Sequence, residues 1–192
     1  MAINWGVTES NPDWGIVSTE TVYGFNPDFT ELTEEQQKHI IGVEAPIWTE
    51  HIDTYRKVEY MLLPRLLALS EIAWTQEKNK DLKNFKEIRL PIHLGWLDKT
   101  GAIYRVPTPI GAVDTTYVGS QFELELKSPV KGGKIYYTFE GQEPRETDFL
   151  YEEPIKILIP EGEKRVLNSI VITPSGKRSI SVTTYFENKS IK

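Results

Sequence analysis

Cysteine is absent from this 192-residue chain, which excludes disulfide bonds and thiolate metal sites without fixing the compartment. No apolar run approaches the roughly 20 residues needed to span a bilayer, so no membrane partner is expected. The opening Met1-Ala2-Ile3-Asn4-Trp5-Gly6 has no basic region followed by an apolar core, and therefore no signal-peptide pattern. A basic excess is lacking as well. The formal charge of −6 leaves nothing to neutralise phosphates, which argues against a nucleic-acid partner. Also missing are a Gly-rich phosphate loop, a His-Glu-x-x-His zinc pair and a Gly-x-Ser-x-Gly nucleophile elbow, so neither a metal nor a cofactor is expected.

What is present is ordinary for a soluble globular protein: 39% hydrophobic and 26% charged residues, with enough length to bury a core in one large domain or two small ones. The most structured stretch runs from Ile47 to Trp74. An apolar lead-in (Ile40, Ile41, Val43, Ala45, Ile47) reads as a strand covered on both faces, as in a parallel sheet. Trp48 and Glu50 follow at its C-terminal end, where α/β architectures handle substrate. An indole can stack on the C–H face of a sugar ring, and a carboxylate can accept two hydroxyl hydrogen bonds. Packing is the commoner use of such a Trp.

A long helix is expected after Glu50, starting at Asp53 or Thr54 as N-cap. Val58, Met61, Leu62, Leu66, Leu69 and Ala73 define its core stripe, Leu63, Leu67 and Ile72 widen it, and Pro64 is expected to kink the helix. Upstream, Thr33 and Gln36 have the spacing of a capping box, with His39 near the end of that short helix. Downstream, Leu82 to Leu97 suggests another helix with a bend at Pro91. Arg65, Glu59 and Glu71 read as structural charges, and His93 as a helix-surface residue. His51, beside Glu50, is the histidine with a claim to a ligand pocket.

Helical periodicity stops at Val106-Pro107-Thr108-Pro109-Ile110-Gly111, which sets domains at 1–106 and 107–192. Beyond it the period becomes two, in runs at 122–126, 135–139, 155–159, 166–173 and 180–186. Turn signals separate them (Lys131-Gly132-Gly133, Glu140-Gly141, Glu161-Gly162, Pro174-Ser175-Gly176), and a small antiparallel β-sandwich is expected.

Several segments together resemble glycoside hydrolase family 20, the β-N-acetylhexosaminidases. They are Gly42-Val43, Trp48-Thr49-Glu50, Val58-Glu59-Tyr60-Met61, Pro64-Arg65, Leu67-Ala68-Leu69 and Glu71-Ile72-Ala73-Trp74-Thr75. Phe85, Leu90-Pro91, His93-Leu94, Leu97-Asp98, Gly101, Tyr104-Arg105 and Pro107 continue the likeness. Lys134 to Pro144, with Leu150-Tyr151 and Pro154-Ile155, is similar to the C-terminal accessory domain of chitobiases and hexosaminidases, with Tyr136 and Glu140 as departures from its usual Arg and Asp.

The resemblance implies an α+β two-domain chain: the last β–α unit and terminal helices of a (β/α)8 barrel, then the β-sandwich. It implies that Trp48 belongs to the aromatic wall under a terminal N-acetylhexosamine and that Glu50 binds its outer hydroxyls. The partner would be an N-acetylhexosamine-terminated glycan, met by a parent enzyme that is periplasmic or extracellular. The family's Tyr-x-Asp element, which grips the acetamido group, is replaced by Asn4-Trp5-Gly6.

The family's reaction is retained by substrate assistance, the acetamide oxygen attacking the anomeric carbon while an Asp-Glu pair orients it and protonates the leaving oxygen. No Asp-Glu dipeptide occurs in this sequence, and a whole barrel needs about 250 residues. The chain is therefore expected to be a C-terminal, non-catalytic piece of such an enzyme, with no catalytic residue of its own. An exposed barrel face would invite self-association. Residues 107–192 are left with two readings: a carbohydrate-binding module that uses Tyr136 and Tyr151, or a scaffold.

Overall fold

The computed structural model describes residues 17–27, 31–47, 52–139 and 141–189. Its contacts group the chain into two compact units. One holds the residues up to Ile88 together with Gly101–Arg105, and the other holds Arg89–Thr100 with everything from Val106 onward. The boundary expected at 106/107 thus stands beside units that interleave in sequence, because a helix from before that boundary joins the β-rich unit.

The first unit is helical. Helix α1 (Thr19–Tyr23) is capped by Ser18, whose hydroxyl accepts from the Thr21 N–H. In α2 (Glu34–Gln37) the capping box forms as the spacing requires, Thr33 and Gln36 each bonding the other's backbone N–H. His39 contributes through its backbone, its N–H donating to the Gln36 carbonyl at 3.1 Å.

Two expectations fail here. The lead-in forms no strand: only Glu44 takes part in a bridge, and Ile41 is 97% exposed. A parallel strand is stabilised by neighbours on either side, and the described residues of this unit contain none. Pro64, for its part, does not kink one helix but separates two, α3 (Tyr55–Leu62) and α4 (Arg65–Trp74). Leu63 is extended at φ −95 and ψ 137, the conformation that the ring of a following proline imposes. The break also resets the helical phase. The buried stripe of α4 is Arg65, Ala68, Leu69 and Ile72, at i, i+3, i+4 and i+7, whereas Leu66 and Ala73 of the expected stripe are exposed.

Next come a 3-10 turn (Glu77–Asn79) and α5 (Leu82–Asn84), capped by the Asp81 carboxylate. A π-helical stretch (Phe85–Arg89) then leads into α6 (Leu90–Thr100). The widened turn falls where Pro91 lacks a donor and its ring would press on the carbonyl four residues back.

The second unit has strands β1 (Thr115–Val118), β2 (Gln121–Leu124), β3 (Lys134–Thr138), β4 (Phe149–Leu150), β5 (Ile155–Leu158), β6 (Lys164–Ile172) and β7 (Val182–Glu187). They form a five-stranded sheet in the order β1-β7-β6-β3-β4 and a two-stranded sheet, β2-β5. All pairings are antiparallel except β1 with β7, which is parallel. The expected sandwich is therefore mixed rather than purely antiparallel. Phe122 of β2 meets Phe186 of β7 at 5.1 Å between ring centroids, which sets the small sheet against the large one. Leu124, Ile135, Ile157, Leu167, Val171 and Phe186 are buried in this unit, each stabilising it by about 1.5–3 kcal/mol.

Candidate functional site

Helix α3 begins where the sequence places it. The Thr54 hydroxyl accepts from the Lys57 N–H at 3.3 Å, satisfying one of the orphan donors of the first turn. Its other end is tied down as well. The carbonyl of Leu63 accepts from the Arg105 N–H at 3.1 Å, and Glu59 Oε2 accepts from the Ile103 N–H at 3.1 Å. Glu59 is thereby assigned a structural task, as expected of it.

Arg65 is buried at 4% exposure. It donates through Nη1 to the Val17 carbonyl and through Nη2 to that of Met61. Tyr23 stacks on Phe85 at 4.8 Å, and its hydroxyl accepts from the Asp81 N–H at 2.9 Å. Beside them Lys86 pairs with Glu20 at 2.7 Å. Burial alone would raise the pKa of Glu20, but the bonds and charge from Lys86 carry it below its usual value. These contacts tie α1, α3, α4 and the Asp81–Lys86 stretch to one another. Trp48 and Glu50 themselves, with His51, lie outside the described residues. His93 packs edge-on to Trp96 at 6.2 Å on α6, in keeping with a helix-surface role.

In the β-rich unit the two tyrosines proposed as stacking platforms are committed internally. Tyr136 is only 8% exposed, and the Tyr151 hydroxyl accepts from the Leu126 N–H at 2.9 Å. An aromatic group that does reach the surface is Phe149, 60% exposed and stacked on Tyr137 at 5.5 Å. Burial, with a smaller contribution from Glu153, raises the pKa of Tyr137.

The same unit contains a depression of about 200 Å³ bordered by Gly132, Lys134, Tyr136, Glu146, Ile172 and the turn Thr173–Gly176. Asp98 of α6 fastens that turn. It accepts from the hydroxyls of Thr173 and Ser175, the Ser175 N–H and the Lys177 ammonium. No catalytic or metal-binding motif marks Asp98, although it continues the buried stripe of Leu90 and Leu94 at four-residue steps. A carboxylate on such a stripe is the one signal available. Lys134 and Glu146 carried none, since exposed charges have no periodicity to betray them.

Among the described residues no group of three His, Cys, Asp or Glu is placed to hold a metal ion. Nor is any described helix long and apolar enough to cross a membrane.

Residues 3–77 match the sequence model of the glycosyl hydrolase family 20 catalytic domain, and residues 124–186 match that named Fn3 associated. A beta-hexosaminidase of Porphyromonas gingivalis is 29% identical over 168 residues, covering 86% of this chain and 21% of the relative. A beta-N-acetylhexosaminidase of Cellulomonas fimi is 34% identical over 95 residues, 49% of this chain and 19% of the relative. The N,N'-diacetylchitobiase of Vibrio harveyi is 23% identical over 170 residues, 67% and 19% respectively. The chain spans about a fifth of the length of these curated relatives.

Proposed function

The chain belongs with the family 20 glycosyl hydrolases, joining part of their catalytic domain to an Fn3-associated region, and from that premise we propose that it forms the sugar-cradling end of a β-N-acetylhexosaminidase. Trp48 supplies an aromatic wall for the C–H face of a terminal N-acetylhexosamine. Glu50 accepts hydrogen bonds from the outer hydroxyls. The observation that carries this reading is the family match over residues 3–77, which spans the Trp48-Thr49-Glu50 triplet immediately ahead of a helix capped by Thr54.

By the family match, the stretch from Ile40 through α4 then corresponds in sequence to the last β–α unit of a (β/α)8 barrel, although its lead-in is not paired as a strand in this chain. The exposure of Ile41, Tyr55 and Trp74 suits surfaces that neighbouring barrel units would cover. Left uncovered, they favour self-association, and light scattering that returned a monomer would remove this part of the reading.

Hydrolysis is a different matter. Proton transfer to the leaving oxygen contributes about 10²–10⁴ in rate, and no Asp-Glu pair is present to provide it. The chain by itself therefore binds without cleaving. Calorimetry with N-acetylglucosamine and chitobiose tests the cradle: weak binding that disappears in Trp48→Ala and Glu50→Gln supports it, and affinity unchanged in both variants refutes it. For the β-rich unit the internal commitments of Tyr136 and Tyr151 favour scaffolding over a stacking module built on those two rings.

A further inference from the structure

We propose that the open face of Phe149 is a second stacking site, taking one pyranose ring of a neutral glycan. Phe149 stands on the two-residue edge strand β4 and is 60% exposed. Its ring stacks on that of Tyr137, its register partner on β3, at 5.5 Å between centroids and 27° between planes. Phe139 meets both rings at steep angles, 5.7 Å from Tyr137 and 6.4 Å from Phe149. One face of Phe149 is thus spent on Tyr137, and the side left to solvent is held in a fixed orientation by the other two rings.

The size of this surface decides the class of occupant. An aromatic side chain offers about 150–250 Å² in all, so the exposed part of Phe149 comes to about 90–150 Å². A stable protein partner needs about 800 Å² on each side. Leu150 does not enlarge the patch. Alternation along the strand turns it to the opposite face of the sheet, where its partner is Tyr136. A single flat ring face of this area suits the C–H face of one sugar ring, which stacks on it as on any exposed aromatic wall.

Charge narrows the choice further. The segment from Gly141 to Glu153 carries five carboxylates, Glu143, Glu146, Asp148, Glu152 and Glu153, against one cation, Arg145. Arg178 offsets one of them, pairing with Glu143 at 3.6 Å. An anionic glycan, or a second copy of this chain at its own −6, is repelled. Uncharged hydroxyls can instead donate to these carboxylates, and Glu153 is close enough to Tyr137 to help raise its pKa. The choice of a sugar rests on the family to which the chain belongs. The ring cluster does not depend on Trp48 or Glu50, so the two sites can fail separately.

The test is an amide NMR titration of the full chain with fully N-acetylated chitotetraose, and with trilysine as a basic peptide probe. Saturable shifts at Tyr137, Phe149 and Leu150 with the sugar, and none with trilysine, are expected, and they should persist in Trp48→Ala. Phe149→Ala and Phe149→Leu should both weaken this response about tenfold, whereas Phe149→Tyr keeps it, because the sugar meets a flat ring and not apolar area alone. The rest of the spectrum should stay that of the folded chain, since the side chain is exposed. Sugar shifts confined to residues around 43–54 would overturn this site and leave the cradle standing. Affinity unchanged in Phe149→Leu, an equal response to trilysine, or no saturable response near Phe149 would also overturn it.

Discussion

Asp98 on α6 and Ser175 in the turn after β6 are joined twice: the Ser175 N–H donates to Asp98 Oδ2 at 3.0 Å, and the Ser175 hydroxyl donates to Oδ1 at 2.6 Å. The residues are 77 positions apart, and with Thr173 and Lys177 they make α6 part of the β-rich unit. Burial by itself would push the Asp98 pKa up. The hydrogen bonds from Ser175, Thr173 and Lys177 outweigh it, and the group lies below its usual 3.8.

A depressed carboxylate stabilises the fold while it is ionised. The contribution from Asp98 is thus fully present at neutral pH and is lost as the pH falls below about 3.8 through the lowered folded value. Asp98→Ala should cost about 1–3 kcal/mol, because the buried Thr173 hydroxyl and the part-buried donors of Ser175 and Lys177 lose their acceptor together. Denaturant unfolding followed on the β-rich unit checks the magnitude, and amide exchange at Ser175 checks the cause. Asp98→Asn should remove the part of the acid destabilisation that this carboxylate carries.

Thr54 offers a cleaner local test. Thr54→Ala removes the acceptor for the Lys57 N–H and should destabilise α3 by about 1 kcal/mol, while Thr54→Ser should be near neutral. Circular dichroism melting of the paired variants measures the difference. Equal effects of the two substitutions would mean that the hydroxyl is not the cap.

Two glycines separate backbone strain from steric exclusion. Gly111 has φ +95, and a Cβ there would stand 2.1 Å from the Glu125 carbonyl oxygen, beside the paired backbone bonds of Ile110 and Lys127. Gly101 has φ +77 with nothing within 4 Å of such a Cβ. Alanine at 101 should cost about 1–2 kcal/mol, the left-handed penalty alone. Alanine at 111 should cost distinctly more, because backbone must shift as well. Parallel thermal melts rank the two.

How much of this was legible beforehand differs by element. The Thr33–Gln36 box and the Thr54 cap were readable because a cap is decided by a few adjacent residues. The longer β runs were readable because alternation survives over five residues or more. Strand β4 has two residues, too few to show a period, β1 (Thr115-Thr116-Tyr117-Val118) has no alternation of apolar and polar residues, and its parallel pairing with β7 depends on partners nearly seventy positions apart. The α4 stripe was misplaced because one helical period was carried across Pro64. The lead-in looked like a strand because its composition is that of one. Composition cannot supply the neighbouring strands that such a segment pairs with. Trp48 and Glu50 stood out weakly through their place after an apolar lead-in, and their specific roles came from the family pattern.

The central claim is that this chain holds the receiving end of a sugar site and none of the acid chemistry. Its most direct test is turnover of an aryl N-acetylglucosaminide by the purified chain. The account predicts release no faster than the uncatalysed background across the acidic-to-neutral range, with millimolar N-acetylglucosamine still bound. Release above background that is abolished by replacing a carboxylate of this chain would contradict it.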